Sequence, residues 1–114
     1  GGFCGSPARI LSGNIKNSLL SEGSIIDGAR VRNSIIRSGV VLEKGASVED
    51  SIIMDNTVIK KGCKLKKVIV DKLNVIEEGE EIGFDPEQDR FHSHIDPSGI
   101  CILPRGGRKK VKKV

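Results

Sequence analysis

The feature that most restricts this chain is a six-residue repeat with an aliphatic side chain at the third position of each unit. From Ser18 the units read SLLSEG, SIIDGA and RVRN, then SIIRSG, VVLEKG and ASVED, then SIIMDN, TVIKKG and CKLKK, then VIVDKL, NVIEEG and EEIG. Three units make a longer period. It is 17 residues from Ser34 to Ser51 and 17 again from Ser51 to Val68, while the coil that opens at Ser18 is one residue shorter. A partial coil fits the same frame earlier, with ARILSG at Ala8–Gly13 and NIKN at Asn14–Asn17.

This is strand periodicity. Side chains alternate across a strand, so positions one and three of a unit share a face and position two points the other way. Positions five and six, often Gly, can turn the chain. Three short strands and their turns make a triangular coil, and stacked coils bury position three along the axis. That row is Ile10, Leu20, Ile26, Ile36, Leu42, Ile53, Ile59, Val70 and Ile76, with Ile15, Val31, Val48, Leu65 and Ile82 on the short side. With three Phe and no Trp or Tyr, such a core has to be aliphatic. Position one sits beside a corner and calls for residues such as Ala8, Ser24, Thr57 and Cys63, so Cys63 reads as core filler.

The pattern resembles that of the hexapeptide-repeat proteins, which form a left-handed parallel β-helix. The resemblance implies an all-β fold of about four coils over residues 8–83. Residues 1–7 are then a lead-in, 84–103 a turn-rich segment ending in a strand, and 104–114 a basic tail expected to be disordered. Residues one coil apart fall about 4.8 Å apart, like neighbouring strands. Glu43, Lys60 and Glu77 then form a column of alternating charge, as do Arg32, Glu49 and Lys66, with Asp50 under Lys67 and Lys64 under Glu81. These read as solvated cross-rung ion pairs, each of small value.

Position two carries information about partners. On the first side it is Leu19, Ile35, Ile52 and Ile69, on the second Ile25, Val41, Val58 and Val75, and on the third Arg30, Ser47, Lys64 and Glu81. Two sides are apolar outside as well as inside. Eight outward aliphatics in two stripes predict an interface, with another domain, a second subunit or both.

The net charge of +4 hides an uneven distribution. Six basic residues lie in the last ten positions, which leaves 13 basic against 15 acidic over residues 1–104. A uniformly basic nucleic-acid binder would look different, so no specific nucleic-acid partner is expected. No apolar run is long enough for a membrane helix, no secretory leader opens the chain, and three Cys without C-x-x-C spacing suggest a reducing cytoplasm. His92 and His94 lack a third ligand and follow the last coil, so no metal site is expected. Neither a P-loop nor a His on a coil is present. No residue reads as catalytic.

A closer resemblance rests on the strings around and within the coils. SPARI comes before them, NSLLSEG, VEDSIIM and VIVDK lie inside them, and EEIGFDPEQDRFHSHIDPSGICILPRGG follows. In order and spacing they are similar to the carboxy-terminal domain of bacterial glucose-1-phosphate adenylyltransferases, over nearly all of residues 6–106. The resemblance implies a regulatory and oligomerisation domain, with the chemistry in an amino-terminal nucleotidyltransferase domain. The enzyme makes ADP-glucose and pyrophosphate from ATP and glucose 1-phosphate for glycogen synthesis. No cofactor is implied for this segment, and magnesium is implied for the whole enzyme. The implied partners are the enzyme's own nucleotidyltransferase domain, sister subunits of a homotetramer and phosphorylated effectors. Carried over by motif, the effector phosphates would meet Lys72 of the VDK string, Arg105 after the apolar strand, and Lys109. Three other readings stay open on the residues: the same domain of another sugar-phosphate nucleotidyltransferase, a free-standing trimeric acyltransferase, and a scaffold subunit.

Overall fold

The computed structural model describes residues 8–90 and 93–105. In chain order the strands are β1 (Arg9–Lys16), β2 (Leu19–Leu20), β3 (Ile25–Arg32), β4 (Ile35–Ile36), β5 (Val41–Leu42), β6 (Ser47–Glu49), β7 (Ile52–Ile53), β8 (Val58–Ile59), β9 (Lys64–Lys66), β10 (Val68–Val70), β11 (Val75–Ile76) and β12 (Glu81–Ile82). A four-residue helix, α1 (Pro86–Asp89), and strands β13 (His94–Ile95) and β14 (Cys101–Leu103) follow. The result is a parallel β-solenoid of about four turns, as the repeat predicts.

Three stacked faces build it. On the first, β2, β4, β7 and β10 stack in parallel. On the second, β5, β8 and β11 stack on the first half of β3, and on the third β6, β9 and β12 stack on its second half. The β3 strand rounds the corner between these faces without interruption, through Gly28 at φ 73°. Gly45, Gly62 and Gly79 recur at that corner with φ between 71° and 76°, a conformation that costs an L side chain energy and a glycine little. The first corner works differently. There Asn17, Asn33, Asp50 and Lys67 hold φ between 49° and 53°, a region that Asn and Asp enter more readily than most residues. Asn17 Nδ2 also donates to Asn33 Oδ1 one coil above, at 2.7 Å.

The next residue along closes the first three of these corners. Ser18, Ser34 and Ser51 each donate their Oγ to the carbonyl two residues back, at 2.7–3.0 Å. Each then accepts the backbone N–H of its counterpart one coil above, at 3.1 Å. A serine column therefore satisfies both the corner and the rung. It ends at Val68, which donates its N–H and offers no hydroxyl.

The predicted axial row forms the core. Ile26, Ile36, Leu42, Ile53, Ile59, Val70 and Ile76 are fully buried, as are Val31, Val48, Leu65 and Ile82 on the short side. Each buried side chain of this size contributes up to about 1.5–3 kcal/mol. Cys63 is buried in the core, in line with its reading as filler. The row fails at its lower end: Ile10 is 52% exposed, and Ile15 and Leu20 only pack partly against the core. β1 and β2 are the lowest strands described, and among the described residues no coil lies beneath them.

The upper end holds a feature absent from the repeat frame. β14 pairs in parallel with β10, Val68 with Cys101 and Val70 with Leu103, and so adds a fifth rung to the first face. β13 pairs antiparallel with the outer edge of β14. Between the last coil and this hairpin, α1 begins at Pro86 with Asp85 as its cap, the Asp85 carboxylate accepting from Glu87 N at 3.0 Å. Asp89, at the end of α1, is buried. It accepts from Gly83 N at 3.1 Å and from the Cys101 thiol at 3.3 Å, which fastens the excursion to the solenoid. A side chain on Gly83 would collide with the carbonyl oxygen of Lys66. The sequence places a strand after the coils, and the structure builds that strand into the first face. Residues 106–114 of the basic tail lie outside the described residues.

Candidate functional site

The corner between the first and second faces is where the top coil and the terminal strand meet. After β10 the chain turns through Asp71, Lys72, Leu73 and Asn74. Asp71 Oδ1 accepts from Lys72 N at 2.7 Å, and Leu73 N donates to Asp55 O one coil below at 3.0 Å. Leu73 adopts φ 62° and is 48% exposed, a conformation that an ordinary L side chain takes only at a cost. The terminal strand is tied to the same turn by two bonds. Asp71 N donates to Leu103 O at 3.1 Å, and Asn74 Nδ2 donates to Pro104 O at 2.7 Å.

Two of the three predicted effector cations lie on the segments tied at this turn. Lys72 follows Asp71 on one rung, Arg105 follows Pro104 on the next, and both are exposed. The carbonyls just before them, Asp71 O and Pro104 O, both accept from Asn74 Nδ2, at 2.9 and 2.7 Å, which ties the two segments to one turn. A phosphate group can bridge cations so placed. Arg offers a planar fork for two of its oxygens and Lys a mobile point charge. One coil below Lys72, Asp55 is paired with Arg37 of the coil beneath it, Nε to Oδ1 at 3.4 Å. The third candidate, Lys109, lies outside the described residues.

The two outward stripes are continuous. Register pairs carry the first from Leu19 through Ile35 and Ile52 to Ile69, and β14 extends it to Ile102. The second runs Ile25, Val41, Val58, Val75. Leu19 is 67% exposed and Val75 44%; most of the rest are half-buried by their neighbours in the sheet. Sequence reasoning missed Ile102. Its signal was the ICIL run, which repeats the alternation of VIV in β10.

The remaining polar chemistry is structural. Burial pushes the Cys63 thiol up, and the thiol donates to Glu77 O at 2.8 Å. Burial, with the bond to Asp89, pushes Cys101 up to about 11. Neither is poised as a thiolate nucleophile. Lys60 Nζ meets Glu77 at 3.0 Å, and that bond holds the lysine above its ordinary range. Bonds from Ser98 pull Asp96 down in the turn between β13 and β14. Among the described residues no three His, Cys, Asp or Glu side chains gather as a metal site, and no helix is long and apolar enough to cross a membrane. His94 is exposed on β13, and His92 lies outside the described residues.

Comparison with known proteins bears on what carries this site. Residues 6–103 match the family model described as GlmU-like, C-terminal hexapeptide. The chain is similar to a glucose-1-phosphate adenylyltransferase of Thermodesulfovibrio yellowstonii, 57% identical over 91% of this chain and 25% of that protein. It is similar to one from Anaeromyxobacter dehalogenans, 59% identical over 84% of this chain and 23% of that protein. For one from Mycobacteroides abscessus the figures are 48% identity, 89% and 25%. The chain thus spans about a quarter of the length of these curated relatives.

Proposed function

Because the chain belongs to the family of GlmU-like C-terminal hexapeptide domains, we propose that it is the regulatory and assembly domain of a glucose-1-phosphate adenylyltransferase. The observation that carries this reading is the 57% identity to a protein of that name over 91% of the chain. In this reading a nucleotidyltransferase domain elsewhere in the longer protein makes ADP-glucose and pyrophosphate from ATP and glucose 1-phosphate. It does so with magnesium, in the cytoplasm, as a step of glycogen synthesis. No residue of the solenoid touches the reacting atoms. The solenoid's two apolar stripes pack on that domain and on sister subunits of a tetramer. Lys72 and Arg105 take the phosphate of an allosteric effector at the corner they share.

The test uses the full-length protein. Purified with magnesium, it is expected to release pyrophosphate from ATP and glucose 1-phosphate. Arg105→Ala should raise the concentration of fructose 1,6-bisphosphate needed for half-activation about tenfold, the loss of one charge-assisted contact of ~1.5 kcal/mol. The unactivated rate should stay the same. No pyrophosphate release would overturn the assignment, and an unchanged activator response would remove Arg105 from the site.

A further inference from the structure

We propose that Asn74 is a positioning residue that sets the separation of Lys72 and Arg105; the inference rests on the reading of that corner as a phosphate site. Asn74 is fully buried. Its Nδ2 donates twice, to Asp71 O at 2.9 Å and to Pro104 O at 2.7 Å. Both acceptors are carbonyls, which fixes the orientation of the carboxamide. One acceptor immediately precedes Lys72 and the other immediately precedes Arg105. A single side chain therefore holds both cation-bearing segments.

The repeat itself shows which of these bonds the fold requires. Successive coils place Ser24, Val40, Thr57 and Asn74 in one column, as the rungs Ile25 N to Val40 O, Val41 N to Thr57 O and Val58 N to Asn74 O record. Ser24 Oγ donates to Ser21 O at 2.6 Å, the same three-residue return that Asn74 makes to Asp71. Val40 makes no side-chain bond and is equally buried, so the corner folds without one. Thr57 Oγ1 makes an upward reach of its own, to Asp71 O at 3.2 Å. What Asn74 adds to its column is both bonds from one side chain, the return to Asp71 and the reach to Pro104. That reach carries a penalty, since its Oδ1 is buried without a partner, and a serine would avoid it. The residue spends stability on a contact whose consequence is the placing of Arg105 against Lys72.

The test compares Asn74→Ser with Lys72→Ala and Arg105→Ala, all in the full-length protein. The single hydroxyl proton of that serine can serve Asp71 O as Ser24 serves Ser21 O, or Pro104 O as Thr57 serves Asp71 O, and not both. Binding of fructose 1,6-bisphosphate is measured by titration calorimetry, and the unactivated rate is measured alongside. Asn74→Ser is expected to weaken binding about tenfold at an unchanged unactivated rate. In its background Arg105→Ala should cost much less than it does alone, because a misplaced cation has little left to lose. Two results would overturn the inference and leave the phosphate site standing: Asn74→Ser binding like the unsubstituted protein while the two cation variants bind weakly, or fully additive losses. If neither cation variant weakens binding, or the unsubstituted protein binds none, the inference and the phosphate site fall together.

Discussion

Ile36, Ile53 and Ile59, in the middle of the coil stack, expose nothing to solvent, whereas Ile10 and Leu11 on the lowest strand are 52% and 65% exposed. The same kind of side chain in the same frame meets two fates. The coils stacked against it cover a third-position residue, though Ile76 and Ile82, on the last strands of their faces, are buried with no strand above them among the described residues. At the upper end the same need is met by different means. β14 adds a rung, β13 covers the outer edge of β14, and the α1 segment is fastened there through Asp89. The repeat explains the middle of this molecule. The ends depend on side chains that occur once, and the candidate phosphate corner is built at the upper one.

The largest test of that contrast sets a middle residue against a lower-end one. Ile53→Ala should cost about 2–5 kcal/mol in urea unfolding, the range for emptying a well-packed aliphatic site. Ile10→Ala should cost no more than about 0.5 kcal/mol, as for a surface change. Similar losses at both positions would break the comparison, and would mean that something covers the lower edge in solution.

A smaller effect probes the upper end. The folded structure holds the Cys101 thiol at about 11, against an ordinary value of 9.0, by burial and by the bond to Asp89. The unfolded chain loses this proton first. Between those values the native state therefore binds more protons than the unfolded one, and stability falls as pH rises. The contribution is fully present below pH 9 and is lost as pH climbs through 11. Unfolding midpoints of the unsubstituted protein and of Cys101→Ala should converge over that window. Parallel curves would show that the thiol is not shielded, and that the upper end is less closed than the middle.

What could be read from the residues follows the same division. The axial row and the outward stripes were legible because each position recurs coil after coil, so one ambiguous residue is corrected by its column. Of the predicted cross-rung ion pairs, only Lys60–Glu77 closes among the described residues. Arg32 and Glu49, Glu49 and Lys66, Asp50 and Lys67, and Lys64 and Glu81 share columns without pairing, because long exposed side chains gain little from being held together. The first corner was legible in part: Asn17, Asn33 and Asp50 suit a left-handed turn, and Lys67 gives no such signal. β14 was seen as a strand, but its place in the stack was not. Cys101 pairs with Val68 across 33 residues, and this excursion through α1 and β13 breaks the 17-residue period. Nothing in the composition of the NVIEEG unit marks Asn74 as different from Thr57 below it. The difference lies in what reaches it from outside the repeat. Of the candidate cations, motif resemblance named Lys72 and Arg105, and only the bonds of Asn74 to Asp71 O and Pro104 O tie their segments to one corner.

The smallest expected effect lies on the solvent side of the middle coils. Lys60 Nζ meets Glu77 across one rung at 3.0 Å, with both side chains well exposed, and Glu43 completes the column and adds to the attraction. Water and salt screen such a contact, and ordering two long side chains offsets what attraction remains. Lys60→Met keeps much of the aliphatic stem and removes the charge, leaving Glu43 and Glu77 facing each other one coil removed on either side. The urea midpoint should hold within experimental error at 0.15 M salt and fall slightly at 0.01 M, where the screening length grows to about 30 Å. A large loss at both salt concentrations would mean that the charge columns share the structural load with the aliphatic row. The middle of the stack would then depend on specific surface pairs much as the upper end depends on Asp89 and Asn74.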